Sequence, residues 1–167
     1  MKRHKALHAL SHDHHLGLIV ARRLIKTGEG KFPVMETRDG FLEFWKENLE
    51  PHFGTEETAF APLLSISSLQ GGDVLWNRVQ AEHEALRMSV TLLTGRGEDR
   101  LRILLWEIGK ALHDHIRFEE REFFPALEKE LSEVELQVLG GRLLEARPQS
   151  CLPPEQLKLL REAMGII

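Results

Sequence analysis

Apolar residues recur along this chain at intervals of three and four, and glycine and proline cut the pattern into blocks. Leu7, Leu10, His14, Gly17, Leu18, Ala21, Leu24 and Ile25 keep to one helical face until Thr27-Gly28-Glu29-Gly30 stops the run. A second block, from about Pro33 to Ser65, places Phe41, Phe44, Trp45, Leu49, Ala59, Phe60 and Leu63 on one face. Pro51 lies in its middle, where a missing N–H and a ring clash bend or break a helix. The stripe resumes in phase after it, which favours one bent helix, with two helices as the alternative. Gly71-Gly72-Asp73 opens a third block, striped by Trp76, Val79, His83, Leu86, Val90 and Leu93 and ended by Thr94-Gly95-Arg96-Gly97. The fourth, about Glu98 to Glu130, carries Leu101, Leu105, Ile108, Leu112, Phe123 and Leu127.

No stretch alternates with period 2, so the fold expected is all-α. Four long amphipathic helices on short joints predict an antiparallel up-down four-helix bundle over residues 1–131. Residues 132–167 are expected to form a short C-terminal helical extension. Ser132 is placed to cap a helix running to about Glu145, and Pro153-Pro154 to start another ending near Gly165. The extension's leucines suit either a cover for the bundle or a homodimer contact.

Composition narrows the class. The chain has 167 residues, enough for one domain, and its 42% hydrophobic and 29% charged residues are those of a soluble globular protein. A net charge of −4 with no basic stripe argues against nucleic acid as the partner, because phosphate binding needs clustered Lys and Arg. No apolar run approaches the ~20 residues of a membrane span. His8, His12, Asp13, His14 and His15 interrupt any secretory signal core. The single Cys151 fits a reducing cytoplasm, the expected location. No Ser/His/Asp or Cys/His constellation offers a side-chain nucleophile, which leaves enzymatic activity an open question. What remains is an excess of histidine: nine, against one cysteine and no tyrosine.

Those histidines follow an internal repeat. A shift of 63 residues lays His52-Phe53-Gly54-Thr55-Glu56-Glu57 over His115-Ile116-Arg117-Phe118-Glu119-Glu120, with Pro62 over Pro125. A shift of 69 lays Asp13-His14 over Glu82-His83. The chain reads as two helical hairpins of one plan, each with an acid-His pair and a His-x-x-x-Glu-Glu. Residues i and i+4 share a helix face, so His52 with Glu56, and His115 with Glu119, offer an imidazole and a carboxylate to one point. These positions lie on the apolar stripes. An ionised carboxylate there must be paired, protonated or bound to metal. Four imidazoles (His14, His52, His83, His115) and two carboxylates (Glu56, Glu119) in one layer suit a dinuclear site with two His per metal and bridging Glu. Mixed N/O donors without thiolate suit Fe, Mn or Zn.

With these motifs in order, from Asp13-His14 through His52-Phe53-x-x-Glu56-Glu57, Glu82-His83-Glu84 and His115-x-x-x-Glu119-Glu120 to Phe123-Phe124-Pro125, the sequence resembles the hemerythrin-like, or HHE cation-binding, family over about residues 7 to 130. The resemblance implies two non-haem iron ions, His14 and His52 on one and His83 and His115 on the other. Glu56 and Glu119 would bridge them beside an oxo or hydroxo group. It implies a protein that senses or processes O2, peroxide, nitric oxide or iron through a small diatomic or peroxide ligand at the metals. The alternative is a regulatory or storage bundle holding Fe or Zn without turnover, and a third reading is a structural bundle with interior His–Glu pairs. Oxygen carriers of this type use a fifth histidine one turn from the third-helix ligand. Here those positions are Arg87 and Val79, which leaves both metals open and favours reactivity or metal exchange over reversible oxygen carriage.

Other residues receive plainer expectations. His12 and His15 compete with His14 but share a stripe with Arg22 and Lys26. His113 and Asp114 are expected outward, or in support of the ligands. Glu57 and Glu120 read first as solvated helix residues, with support of a ligand imidazole as the sharper role. Trp45, Trp76 and Trp106 are expected in the core.

Overall fold

The computed structural model describes residues 3–64 and 72–147. Every regular element among them is helical. A short 3-10 turn (Lys5–Leu7), capped by the His4 side chain, leads into α1 (His8–Gly28). The second block is α2 (Val34–Phe44), a π-helical turn (Trp45–Leu49) and α3 (Glu50–Leu64) without interruption. After α4 (Gly72–Thr91), the fourth block repeats this plan: α5 (Glu98–Phe118), a π-helical turn (Glu119–Phe123) and α6 (Phe124–Glu130). Ser132 then closes a capping box with Glu135 and starts α7 (Glu133–Ala146). The helix expected from Pro153 lies outside the described residues.

The π turns answer the question raised by Pro51. Each ends two residues before a proline, Pro51 in one case and Pro125 in the other. Glu50 and Phe124 donate to carbonyls five residues back, Trp45 and Glu119. A proline in a regular helix drives its ring against the carbonyl four residues earlier; a widened turn just ahead relieves that contact. The helical path over residues 34–64 therefore stays continuous, one helix rather than two.

α1 and α5 run in opposite directions, as do α3 and α4. Along α1 and α5, Gly17 meets Ile116, Gly109 meets Ala21 and Leu24, and Gly28 meets Trp106. A Cβ on Gly109 would stand 2.8 Å from the Ala21 carbonyl oxygen, so glycine is what lets these two backbones approach. Between α3 and α4, Phe60 faces Trp76 while Glu50 faces Arg87. α7 lies on α3 and the N-terminal turn, burying Leu136, Leu139 and Leu143 while Leu144 is exposed. Trp106 departs from expectation: it is 43% exposed, lying over Gly28 on the outer face of α5.

The core is divided. One apolar cluster gathers Ala21, Leu24, Phe41, Phe44, Leu105 and Leu112. A second gathers Leu7, Phe60, Trp76, Phe123, Phe124 and Leu139. Between them lies a layer of buried polar side chains. No helix among the described residues is long and apolar enough to cross a membrane.

Candidate metal centre

All six residues singled out from the repeat meet in that layer. His14 comes from α1, His52 and Glu56 from α3, His83 from α4, His115 from α5, and Glu119 from the first position of the second π turn. Each is buried, with Glu56, His83 and Glu119 fully enclosed. They form two overlapping groups, His14–His52–Glu56–Glu119 and Glu56–His83–His115–Glu119, and the two carboxylates belong to both. Glu56 turns one oxygen to each side: Oε1 lies 3.4 Å from His52 Nε2, and Oε2 lies 3.3 Å from His83 Nε2. Glu119 Oε2 faces both, 3.0 Å from His14 Nε2 and 3.4 Å from His115 Nε2.

Each imidazole is held from behind by a carboxylate on another element. Nδ1 of His14 reaches Glu120 at 2.7 Å, that of His52 reaches Asp13 at 3.3 Å, that of His83 reaches Glu57 at 2.9 Å and that of His115 reaches Glu82 at 2.9 Å. Asp13 and Glu82, each beside a histidine in sequence, thus serve the histidine of another helix, and so do Glu57 and Glu120, each next to a carboxylate of the layer. This corrects the plainer expectation for Glu57 and Glu120, which are half-buried and bonded rather than solvated. The contacts obey the repeat: Asp13–His52 answers to Glu82–His115, and Glu57–His83 to Glu120–His14. A third layer does not repeat. Arg147 pairs with Asp13 at 2.6 Å, and Arg87 with Glu57, Arg78 with Glu82 and Arg3 with Glu120 at 2.8 Å each. Arg87, at the place where a fifth histidine would stand, is therefore tied outward to Glu57 and Glu50.

Phenylalanine rather than tryptophan walls the layer. The Phe53 ring stacks on His83 with centroids 3.8 Å apart, and Phe124 stacks on His14 at 5.4 Å. His12 and His15 are exposed, and His113 bonds its neighbour Asp114.

The electrostatics of the layer call for a cation. With every Nδ1–H given to a carboxylate, each imidazole in its neutral form presents the Nε2 lone pair inward. His14 Nε2 and His52 Nε2 then face each other at 3.2 Å. Both oxygens of Glu56, both of Glu119, and Nε2 of His83 and His115 are buried without a hydrogen-bond partner among the described residues. Such groups are costly unless something compensates them. Burial and the Glu119 charge push Glu56 well above the usual carboxylate range. At Glu119 burial also opposes the charge, but His115 and His14 outweigh it and hold the group down to about 2. Burial disfavours the charged form of His14, yet Glu119 and Glu120 raise it to about 9, whereas burial takes His83 down to about 4. Two carboxylates in one enclosed layer thus titrate apart for want of positive charge. The spacing suits metal as well. Ligands about 2.1 Å from one ion and 90–109° apart stand about 3.0–3.4 Å from each other, the range of the closest donor contacts here. The residues could hold metal cations.

Comparison with known families agrees. The model of the hemerythrin HHE cation-binding domain matches residues 3–127, three quarters of the chain. The chain belongs to the hemerythrin HHE cation-binding family and is a metal-binding helical protein. Neither the curated proteins nor the solved structures include a significant match.

Proposed function

We propose that this protein is an up-down four-helix bundle over residues 1–131, with a C-terminal extension, 132–167, that covers the bundle or serves a dimer contact, built around a non-haem di-iron centre that senses or processes O2, peroxide, nitric oxide or iron. His14 and His52 would hold one ion, His83 and His115 the other, with Glu56 and Glu119 shared between them. One observation carries the reading: two buried donor groups share both carboxylates, and all four carboxylate oxygens lack a hydrogen bond among the described residues. A bound iron pair supplies one- or two-electron redox chemistry toward a small ligand.

The chain's own groups do the rest. Asp13, Glu57, Glu82 and Glu120 keep the proton of each imidazole on Nδ1, so that Nε2 is free to bind. Arg3, Arg78, Arg87 and Arg147 keep those four carboxylates ionised and fixed in place. Phe53 stacks on His83 and Phe124 on His14, and the two apolar clusters flank the layer.

Metal analysis of protein purified aerobically from iron-supplied cells tests the reading. About two irons per chain, with an absorption spectrum that changes on adding peroxide or nitric oxide, supports it. Two zinc ions instead would favour the regulatory or storage module, and no metal after reconstitution would sink both.

A further inference from the structure

The layer is not enclosed equally on all sides. A cavity of about 430 Å³ opens between the start of α1, the first π turn, α3 and α7. Its outer wall lies at the surface, with Lys5, His12, Glu47, Gln137 and Leu144 exposed. Its inner wall includes His14, His52 and His115, each at most 7% exposed. His83 does not line it; Phe53 does, and stacks on that ring. The cavity therefore joins solvent to the imidazole layer from the side of His14, His52 and His115.

Two adjacent glycines of α7 border this space, and they differ. A Cβ on Gly140 would lie 3.1 Å from the Ala6 Cβ, so close packing accounts for that glycine. A Cβ on Gly141 would meet nothing within 4 Å. Glycine inside a helix costs about 1 kcal/mol relative to alanine, and no contact at Gly141 explains that cost. What the missing side chain leaves is room at the mouth. The charged groups of the wall are paired: Lys5 with Glu133 at 3.8 Å, Glu47 with Lys46 at 3.4 Å and Asp13 with Arg147 at 2.6 Å. A passage works when its wall lets an ion enter without holding it there, and paired charges meet that condition. The volume also suffices, since a cation with six waters needs on the order of 200 Å³ at about 30 Å³ per water.

We propose that this cavity is the route by which a hydrated divalent cation enters and leaves the metal centre, with Gly141 keeping its mouth open. The cation exchanges water for imidazole on the side of His14, His52 and His115, and His83 is not reached from the cavity directly. The assignment deepens the metal-centre reading and rests on it.

Cobalt(II), whose visible absorption reports its coordination, tests the route on the full chain. Uptake by metal-free protein is followed by stopped flow, release by mixing with excess chelator, and affinity at equilibrium. Gly141→Trp fills the mouth from α7, and Ala9→Phe narrows the space from α1; two variants on different walls keep the test intact if one fails to fold. Each should slow uptake and release together, about tenfold, and leave affinity unchanged, because a raised barrier counts equally in both directions. Gly40→Trp is the control: a Cβ on Gly40 also meets nothing within 4 Å, but this residue does not line the cavity. Its rates should match those of the unsubstituted chain. Unchanged rates in Gly141→Trp and Ala9→Phe overturn the route and leave the metal reading standing. So does equal slowing in Gly40→Trp, or a loss of affinity at unchanged uptake. If the unsubstituted chain takes up no cobalt, the metal reading falls and the route falls with it.

Discussion

Glu56 and Glu119 each serve both halves of the layer, so each carries more than any single histidine. Glu56→Ala or Glu119→Ala is expected to abolish binding of at least one metal per chain, read by metal analysis. His12→Ala and His113→Ala should leave stoichiometry unchanged; loss of metal in that pair would show that the wrong helix faces were chosen. One layer out, Asp13→Asn and Glu120→Gln keep the shape of the side chain but weaken its hold on the imidazole proton. Partners of this kind typically contribute 10–100-fold to metal affinity. Competition with a chelator should show a loss of that size, and an affinity unchanged in both variants would contradict the orienting role given to these carboxylates.

At the scale of elements, the two π turns do different work although the motifs around them repeat. The first precedes His52 by a few residues and absorbs Pro51; the second begins on Glu119 itself and absorbs Pro125. The hairpins thus share ligand spacing but not backbone. Where α1 meets α5, contact depends on glycine. Gly109→Ala would place a methyl group 2.8 Å from the Ala21 carbonyl oxygen. Overfilling of this kind costs about 1–3 kcal/mol, which for a domain of this size lowers Tm by roughly 2–12 °C. A thermal melt that matched the unsubstituted protein would show that the two helices separate freely.

For the molecule as a whole, the polar layer lies between two apolar clusters and must be satisfied for both to pack. A ligand that binds the folded state alone stabilises it by about 4 kcal/mol at a thousand times its Kd. Loading with metal should therefore raise Tm by roughly 8–16 °C, and chelation should reverse the gain. Equal melting curves with and without metal would mean that the layer is satisfied by protein alone, as the structural reading with interior His–Glu pairs requires.

Much of this was legible in the chain. Helical stripes need only period, so the blocks around Leu24, Phe60, Leu86 and Leu112 and the inward turn of His14, His52, His83 and His115 could be read directly. The i,i+4 spacing and the repeat marked the six donors because a helix converts spacing into a shared face. Reading Pro51 alone could not decide between a bend and a break, since the outcome depends on whether the turn before it can widen. The supporting carboxylates were visible as residues but not as partners: Asp13 serves His52 rather than His14, and Glu57 serves His83, because side chains next to each other in sequence leave a helix in different directions. The arginines behind them follow no repeat at all. Arg3 and Arg147 lie more than a hundred residues from Glu120 and Asp13. The sequence alone determined which residues could face one another, since local periodicity depends on nothing beyond the helix. Only the tertiary structure decided which carboxylate and which arginine stand behind each imidazole, and which side of the layer opens to the cavity, because those contacts are made between helices whose relative placement no local pattern encodes.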